Sequence, residues 1–526
     1  MKLADVPLIS ATSRSLQTRL GRFNPRFLCN TAWALAALKV ESFPLMTAIQ
    51  EECLKKVKSF NAQDMANTLW AFATLLVSEK TFMEVMTDHA SAVRGLTPQG
   101  LSNTMWAVAV LVFQSDLVEG LKPQLVRAAP RLNPQELSNV AWTFATLRIC
   151  SGEVLTAVCD AGMKKLPEFV DMDMANIAWS LAAVTWHDPI VDAIAKLSME
   201  RLDRQLESEN SVVNCLALVE ALQTTGKLED SYLDSVLKAL LRRADAMDEE
   251  SLLQPPAELT IRLAELETKV VSEPRALSAS LPELYALWKP PGWSAASESD
   301  EITTSTSQKP LALRTWLQEN FGHRPITHDE SVTYGLVHRL DRFTSGVLLW
   351  APCYRGLYEA RLQFAARKVQ KEYLCLASGV LKVPKMIKAP IAESSSELGV
   401  ARMYISPIGR SAFTEVLDSV TLVDPDGHLL SLCHIRLHTG RTHQIRVHMA
   451  HEGHPLVGDP VYGGITPSWC ERHWLHAWKL GLQMTSAPVT VEVPVPMDLR
   501  RILERLQPAD LGDAFRLRQW KLSGSN

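Results

Sequence analysis

A nine-residue pattern returns five times in the first 184 residues and leaves the chain few ways to fold. NTAWALAAL starts at Asn30, NTLWAFATL at Asn67, NTMWAVAVL at Asn103, NVAWTFATL at Asn139 and NIAWSLAAV at Asn176. The tryptophans, Trp33, Trp70, Trp106, Trp142 and Trp179, are spaced by 37, 36, 36 and 37 residues. A sixth copy, NCLALVEAL, starts at Asn214 and carries Ala217 in the tryptophan's place. A unit of this length cannot bury an apolar face alone, so copies stack and share a continuous core. A substituted last copy is what a capping repeat looks like.

Each copy reads as two helices. Six residues before the Asn stands a residue whose side chain can accept from the free N–H groups of a first turn: Asn24, Asn61, Thr97, Asn133 and Ser208. Pro25, Pro98 and Pro134 follow at the first helical position, where proline is tolerated. The fifth copy departs, with Val170 there and Asp171 next. Asn and Trp at i, i+3 share one helix face. A second amphipathic stretch follows each copy, such as Glu153–Leu166 or Tyr232–Arg243. The expectation is an all-α solenoid over residues 22–245. Trp and Asn admit two uses, base stacking with base-edge reading, or packing. An element repeated identically fits packing better, because a reading position should vary between repeats. Trp is therefore expected in the core between repeats and Asn on a neighbouring backbone carbonyl.

Charge qualifies any polyanionic partner. The 526 residues carry a formal net charge of −4. Residues 1–280 hold 27 basic and 34 acidic side chains, and residues 281–526 hold 27 and 24. Residues 1–131 stand at +4 and residues 132–280 at −11, so a polyanion favours the two ends over the middle. The longest apolar stretch, Thr104 to Phe113, is far short of the ~20 residues that span a bilayer. Nine scattered cysteines form no C-x-x-C pair, which fits reduced thiols.

The period breaks after residue 245. Asp245, Asp248, Glu249, Glu250 and Pro255-Pro256 open a linker read as 246–280. From 281 the apolar pattern shortens to strand-like runs, Gly346–Trp350, Glu372–Ala377 and His428–Leu437, with the helical stretch Tyr354–Ala366 between them. This predicts an α+β domain with a mainly antiparallel mixed sheet over 281–510, a solvated loop over 294–309 and a tail at 511–526.

Four blocks in this half carry chemistry: Lys289-Pro-Pro-Gly-Trp293, His338-Arg-Leu-Asp-Arg-Phe-Thr-Ser-Gly346, Lys371-Glu-Tyr373, and Leu437-His-Thr-Gly-Arg-Thr-His-Gln-Ile-Arg-Val-His448. The last runs on through Gly453-His-Pro-Leu-Val-Gly-Asp459 and Tyr462-Gly463. A buried Asp341 needs a cation to stay ionised and nucleophilic, and Arg436, Arg441 or Arg446 could supply it. Lys289 to Trp293 reads as a structural turn, and His338, His443 and His448 as hydrogen-bonded supports.

Together, in this order and at these intervals, the blocks resemble the RluA-type pseudouridine synthases over roughly residues 281–500. The resemblance implies RNA as substrate and conversion of uridine to pseudouridine, with no cofactor and no metal. By motif it makes Asp341 the nucleophile, Tyr373 the tyrosine that stacks on the uracil, and Arg446 the partner of the carboxylate. It makes Arg339 the residue that fills the gap of a flipped-out nucleotide. Arg342, Thr344, Arg441 and Ile445 are the further substrate-side candidates, Thr344 with Ser345 and Gly346 also shaping the loop. Rather than the small RNA-binding domain many members carry first, this chain has the repeat. Residues 22–245 resemble the octotricopeptide-type helical repeats of organellar RNA-binding proteins, which implies binding of single-stranded RNA; a protein partner stays open. Two other functions remain on the sequence alone: a non-catalytic RNA-binding factor, and an adaptor that docks proteins. The first 27 residues hold Lys2, Arg14, Arg19, Arg22 and Arg26 against Asp5. That composition, with 1–21 as an extension, suggests a mitochondrion or chloroplast, with cytoplasm or nucleus as alternatives.

Overall fold

The computed structural model describes residues 13–520 apart from Arg14, Glu41, Ser78, 93–94, 112–115, 249–253, Ala279, 296–310, 395–401 and Ile408. The first twelve residues, Glu249 and Glu250, and most of the expected loop 294–309 lie outside the described residues. The chain divides into two compact units, the first ending at Arg201 (with 224–227 added), the second beginning at Leu202.

The first unit is helical throughout. Pro25–Ala37, Ala62–Thr74, Pro98–Val110, Pro134–Thr146 and Asp171–Ala183 pack side by side as an inner layer. Each has thirteen residues, because the same signals start and stop it. Asn24, Asn61, Thr97 and Asn133 accept from the backbone N–H three residues on. Val170 has no acceptor, so the Asp173 carboxylate bonds its N–H instead, at 3.3 Å. Alanines between the helices (Ala36, Ala73, Ala109, Ala145, Ala182) are buried and let the backbones approach.

A basic residue on three of the outer helices ties its repeat to the one before. Lys56 Nζ donates to the carbonyls of Gly21 and Phe23, at 2.9 and 2.8 Å. Lys165 reaches Pro130 and Leu132. Arg201 reaches Pro167 and Phe169, both at 2.7 Å. These carbonyls lie at loop ends that no helix satisfies, and a cation there meets partial negative charge.

The tryptophans are not core. Trp33 is 50 % exposed, and Trp70, Trp106, Trp142 and Trp179 are half-buried. Ring centroids of Trp33–Trp70 and Trp70–Trp106 both lie 6.5 Å apart, so these three indoles form a ladder along the inner layer. Among the described residues, Asn103, Asn139 and Asn176 donate to no neighbouring helix's carbonyl. The packing expectation fails because alanines and Leu28, Leu69, Phe72 and Phe144 already fill the space between helices.

The second unit is built on an 11-stranded sheet. Nine strands follow in the order Thr260–Ile261, Arg275–Leu277, Tyr285–Lys289, Ser345–Trp350, Leu475–Gln483, Gln370–Ser378, Leu429–Leu437, Thr414–Val423, Gln507–Pro508, and two pair off this path, Pro488–Glu492 with Leu475–Gln483 and Lys385–Ile387 with Thr414–Val423. Only the first pair and Ser345–Trp350 with Leu475–Gln483 run parallel; the rest is antiparallel. Leu374, Leu376, Val420, Leu432, Trp474 and Leu499 form one core on it.

Three boundaries differ from the sequence reading. Strands at 260–261 and 275–277, within the expected linker, belong to the sheet. The expected tail forms the helix Leu511–Gln519, capped by Asp510, with Leu517 and Trp520 against the core. The sixth copy's helix Glu209–Thr225 and the helix Asp230–Asp245 group with the sheet domain rather than with the preceding repeats. Their ties are specific: Asp248 accepts the N–H groups of Tyr354 and Arg355 at 2.8 and 2.9 Å, at the start of helix Tyr354–Ala365.

Candidate active site

Asp341 opens a tight turn in which Thr344 N–H returns to the Asp341 carbonyl, at 3.0 Å. The turn is braced from both sides. Lys289 is fully buried and donates to the carbonyls of Arg342 and Thr344, both at 2.8 Å, and to that of Pro290 at 3.2 Å. Gly292 N–H donates to the same Arg342 carbonyl at 2.9 Å, from a φ of +92° that favours glycine. The Lys289 to Trp293 block is thus the brace of the Asp341 loop, and its buried ammonium is satisfied by carbonyl oxygens.

From the other side, Thr344 Oγ1 bonds His473 Nε2 at 3.0 Å and Ser345 Oγ bonds His476 Nδ1 at 3.1 Å. Gly346 (φ +131°) lies so close to Ala477 that an added Cβ would sit 2.2 Å from its carbonyl oxygen. Thr-Ser-Gly therefore fixes the loop to the strand Leu475–Gln483.

Of the three arginines offered to Asp341, only Arg446 reaches it. Its Nη1 lies 3.3 Å from Asp341 Oδ2. Arg436 is held by Glu372, at 2.9 Å. Arg441 spends its Nε on the Ser411 carbonyl, at 3.0 Å, and its Nη2 faces Glu220 at 3.4 Å. Arg446 is held more tightly by a second carboxylate. Nε and Nη2 make a two-point pair with Asp459, at 2.7 and 3.0 Å. The Tyr462 ring lies 5.1 Å from the guanidinium, and the Tyr462 hydroxyl bonds His443 Nδ1 at 2.8 Å. Asp459 is 1 % exposed. One guanidinium is therefore aimed by one carboxylate at another.

The sequence left Asp459, Tyr462 and His473 without roles. The signal was present for the first: a buried arginine facing one partly open carboxylate has donors to spare, and Asp459 is the acid that follows it in the same block.

Burial pushes the Asp341 carboxyl up, but charge from His443, Arg446 and His473 outweighs it and holds it below the usual range. Burial pushes His443 and His473 down, so at neutral pH Arg446 is the cation that keeps Asp341 ionised. Tyr373 is pushed well up, by burial and then by Asp341, and stays a neutral phenol. It lies in the strand Gln370–Ser378 opposite Ile435 and Ala477, and among the described residues no hydrogen bond holds its hydroxyl. Ile445 is buried, one residue before Arg446 in helix Gln444–His451.

The remaining candidates divide. Arg339 is exposed, beside Asp341 in sequence. Arg342 and Thr344 are held inside the loop: Arg342 is buried and donates to the Gly292 carbonyl at 3.3 Å, and Thr344 is 1 % exposed. Both brace the loop. His338 accepts from Leu349 N–H at 3.1 Å, and burial pushes it down to about 3. His448 bonds Thr414 Oγ1 and the Ala389 carbonyl, both at 2.8 Å. Among the described residues one group, Asp424, Asp426 and His428, lies at metal-ligand spacing. There Asp424 accepts two backbone N–H groups of its own turn, which accounts for the grouping.

Residues 285–451 match the RNA pseudouridylate synthase family, and residues 8–152 match the RNA-editing substrate-binding complex 6 protein family. Ribosomal large subunit pseudouridine synthase D of Nitrosomonas europaea is 35 % identical over 185 residues, 33 % of this chain and 51 % of that protein. An uncharacterized RNA pseudouridine synthase of Chloroflexus aurantiacus is 40 % identical over 176 residues, 33 % of this chain and 54 % of that one. The solved structure of human RNA pseudouridylate synthase domain containing 1 aligns over 46 % of this chain and 92 % of its own, at 25 % identity and a TM-score of 0.34. The chain spans about half the length of the curated relatives it matches.

Proposed function

With an RluA-type pseudouridine synthase domain in the C-terminal half as the premise, we propose that this protein isomerises uridine to pseudouridine in a structured RNA, ribosomal or transfer. The observation that carries the reading is the chain Asp341–Arg446–Asp459. It holds ionised a carboxylate that is 16 % exposed and lies close enough to Tyr373 to act on its hydroxyl, which is what a nucleophile beside a stacking ring requires.

In this reading an Asp341 oxygen bonds C1′ of the flipped-out uridine as the N1–C1′ bond breaks and its electron pair leaves on N1. The uracil turns beside Tyr373, C5 bonds C1′ and displaces the carboxylate, and the C5 proton leaves while N1 takes one up, so the product is an isomer of the substrate. Confinement by Tyr373 and Ile445 keeps the detached base near C1′, where proximity stands in for concentration. Tyr373, being neutral, acts as a stacking face and a proton relay rather than as a charged base. Arg339, exposed beside the nucleophile, fills the place of the extruded nucleotide. The reading uses no metal and no cofactor.

The helical unit is proposed as the part that holds the RNA or a protein partner. Four of the five inner helices carry a similar, partly exposed stripe: Arg26, Asn30 and Trp33, then Gln63, Asn67 and Trp70, then Gln99, Asn103 and Trp106, then Gln135, Asn139 and Trp142; the fifth has Met172 in the glutamine's place, with Asn176 and Trp179. Amides and indoles without carboxylates suit unpaired bases. A mitochondrial or chloroplast location is proposed from the basic N-terminal composition and is tested by fractionation of tagged protein.

The deciding experiment maps pseudouridine at single-nucleotide resolution in cellular RNA treated with wild type and with Asp341→Asn. Sites made only by wild type establish the activity and name the substrate. Their complete absence in every RNA pool rejects it in favour of a binding factor.

A further inference from the structure

The sixth repeat copy carries a carboxylate where the other five have a buried alanine. Ala36, Ala73, Ala109, Ala145 and Ala182 align with Glu220 in NCLALVEAL. Glu209 lies eleven residues earlier in the same helix, three turns away on nearly the same side. Both carboxylates meet the sheet domain, and they meet it differently. Glu209 is a tight tie: Tyr358 Oη donates to it at 2.8 Å and Arg361 Nη1 lies at 3.3 Å. Glu220 is a loose one, 3.4 Å from Arg441 Nη2 and 3.9 Å from Arg367 Nη2, with its side chain 37 % exposed.

Those two guanidiniums belong to a larger basic group. Lys371 Nζ lies 5.6 Å from the Phe364 ring centroid, and a Cβ on Gly440 would stand 3.6 Å from it. Burial and the charges of Arg441 and Arg367 push Lys371 down to about 8. Arg410 adds a further positive charge near Arg441. Lys371 and Tyr373 are two apart in one strand and so share a sheet face. Arg441 stands five residues before Arg446. The charge of Lys371 also acts on His338, three residues before Asp341, so the cations stand beside the loop that carries Asp341 and on the sheet face of Tyr373.

We propose that Arg367, Lys371 and Arg441 form a binding site for a backbone phosphate of the RNA strand entering the pocket, and that Glu220 is its resident counter-ion, displaced when the phosphate arrives. The proposal rests on the reading that this pocket takes RNA. Cations this close repel one another, and a carboxylate between them relieves that repulsion. A phosphate offers the same negative oxygens with more charge and suits arginine's paired donors better. Glu220, if left in place, repels it. The terminal repeat thus sets how tightly the catalytic domain holds RNA.

The test uses full-length protein and a labelled twelve-residue oligouridylate, with affinity measured across a salt series. Glu220→Gln is expected to bind roughly three- to tenfold tighter at low salt, with a salt dependence steeper by about one released counter-ion. Glu220→Asp, which keeps the charge, is expected to stay near wild type. Arg367→Gln is expected to bind more weakly, and it carries the test if Glu220→Gln does not fold. Unchanged or weaker binding by a folded Glu220→Gln overturns the proposal and leaves Glu220 a structural tie. Unchanged binding by Arg367→Gln, or no binding by any form, overturns it too. Pseudouridine formation on cellular RNA is read from the same samples. Tighter oligouridylate binding without pseudouridine keeps the phosphate site and rejects the enzymatic reading; the converse keeps the enzyme and rejects the site.

Discussion

The two units spend their basic side chains in opposite ways. In the helical unit Lys56, Lys165 and Arg201 each cap carbonyls of the preceding repeat, so these cations are consumed in holding the stack together. In the sheet domain Arg446 is aimed at Asp341, while Arg367, Lys371 and Arg441 crowd one another. A count of basic residues is a poor guide to where a polyanion binds; what matters is which cations are already satisfied by neutral carbonyls. In the reading proposed above, the helical unit meets RNA with amides and indoles, and the sheet domain meets it with charge.

Four perturbations sharpen or break that contrast. The largest effect is expected from Asp341→Asn, which should lower turnover by at least ~10³-fold while RNA affinity changes little. Turnover near wild type in a single-turnover assay would remove Asp341 from the chemistry. Asp459→Asn should follow. It breaks a buried two-point pair and leaves Arg446 under-compensated, costing roughly 3–5 kcal/mol. Calorimetry should show the sheet domain melting early, and an unmoved transition would mean that Asp341 alone holds the arginine.

Third is acid stability. Glu372 is buried and bonded by His434 at 2.9 Å, by Gln370 and by Arg436 at 2.9 Å, the first of these being the main cause that holds its carboxyl down to about 2. A carboxylate depressed in the folded state stabilises above its unfolded pKa, and that contribution disappears as pH falls toward 2. The sheet domain should therefore lose roughly 3 kcal/mol across that window. Glu372→Gln should flatten the acid limb of a stability–pH curve, and a variant that keeps wild type's acid limb would assign the loss elsewhere. The smallest effect belongs to the repeats. Asn133→Ala removes one cap and should cost about 1 kcal/mol in the helical unit, read as a shift in its urea midpoint. An effect several times larger would show that the repeats unfold through that helix.

Much of this was legible from the chain. A cap, a proline and an N-x-x-W run at a fixed period are local signals, each acting within one helical turn, so helix starts and repeat boundaries could be read in order. The four blocks of the second half were equally plain, and Asp341, Arg446 and Tyr373 stand in one region of the sheet domain as their order implied. Exposure was not legible. The tryptophans recur like core residues, yet alanines, leucines and phenylalanines had already filled the space between helices, and only packing decides which apolar residue is left outside.

Pairing was not legible either. Arg436, Arg441 and Arg446 are chemically alike and close in sequence. Strand register gives the first to Glu372, the helix of the sixth repeat gives the second to Glu220, and the helix Gln444–His451 gives the third to Asp341 and Asp459. Boundaries failed for the same reason: residues 260–277 and 511–519 carry weak local patterns, and it is the edge of an existing sheet and an existing core that orders them. The sequence by itself determined the repeat, the helix starts and the set of reactive groups, because these rest on contacts a few residues long. The tertiary structure alone decided which charges meet, since a partner a hundred residues away leaves no mark on the local pattern.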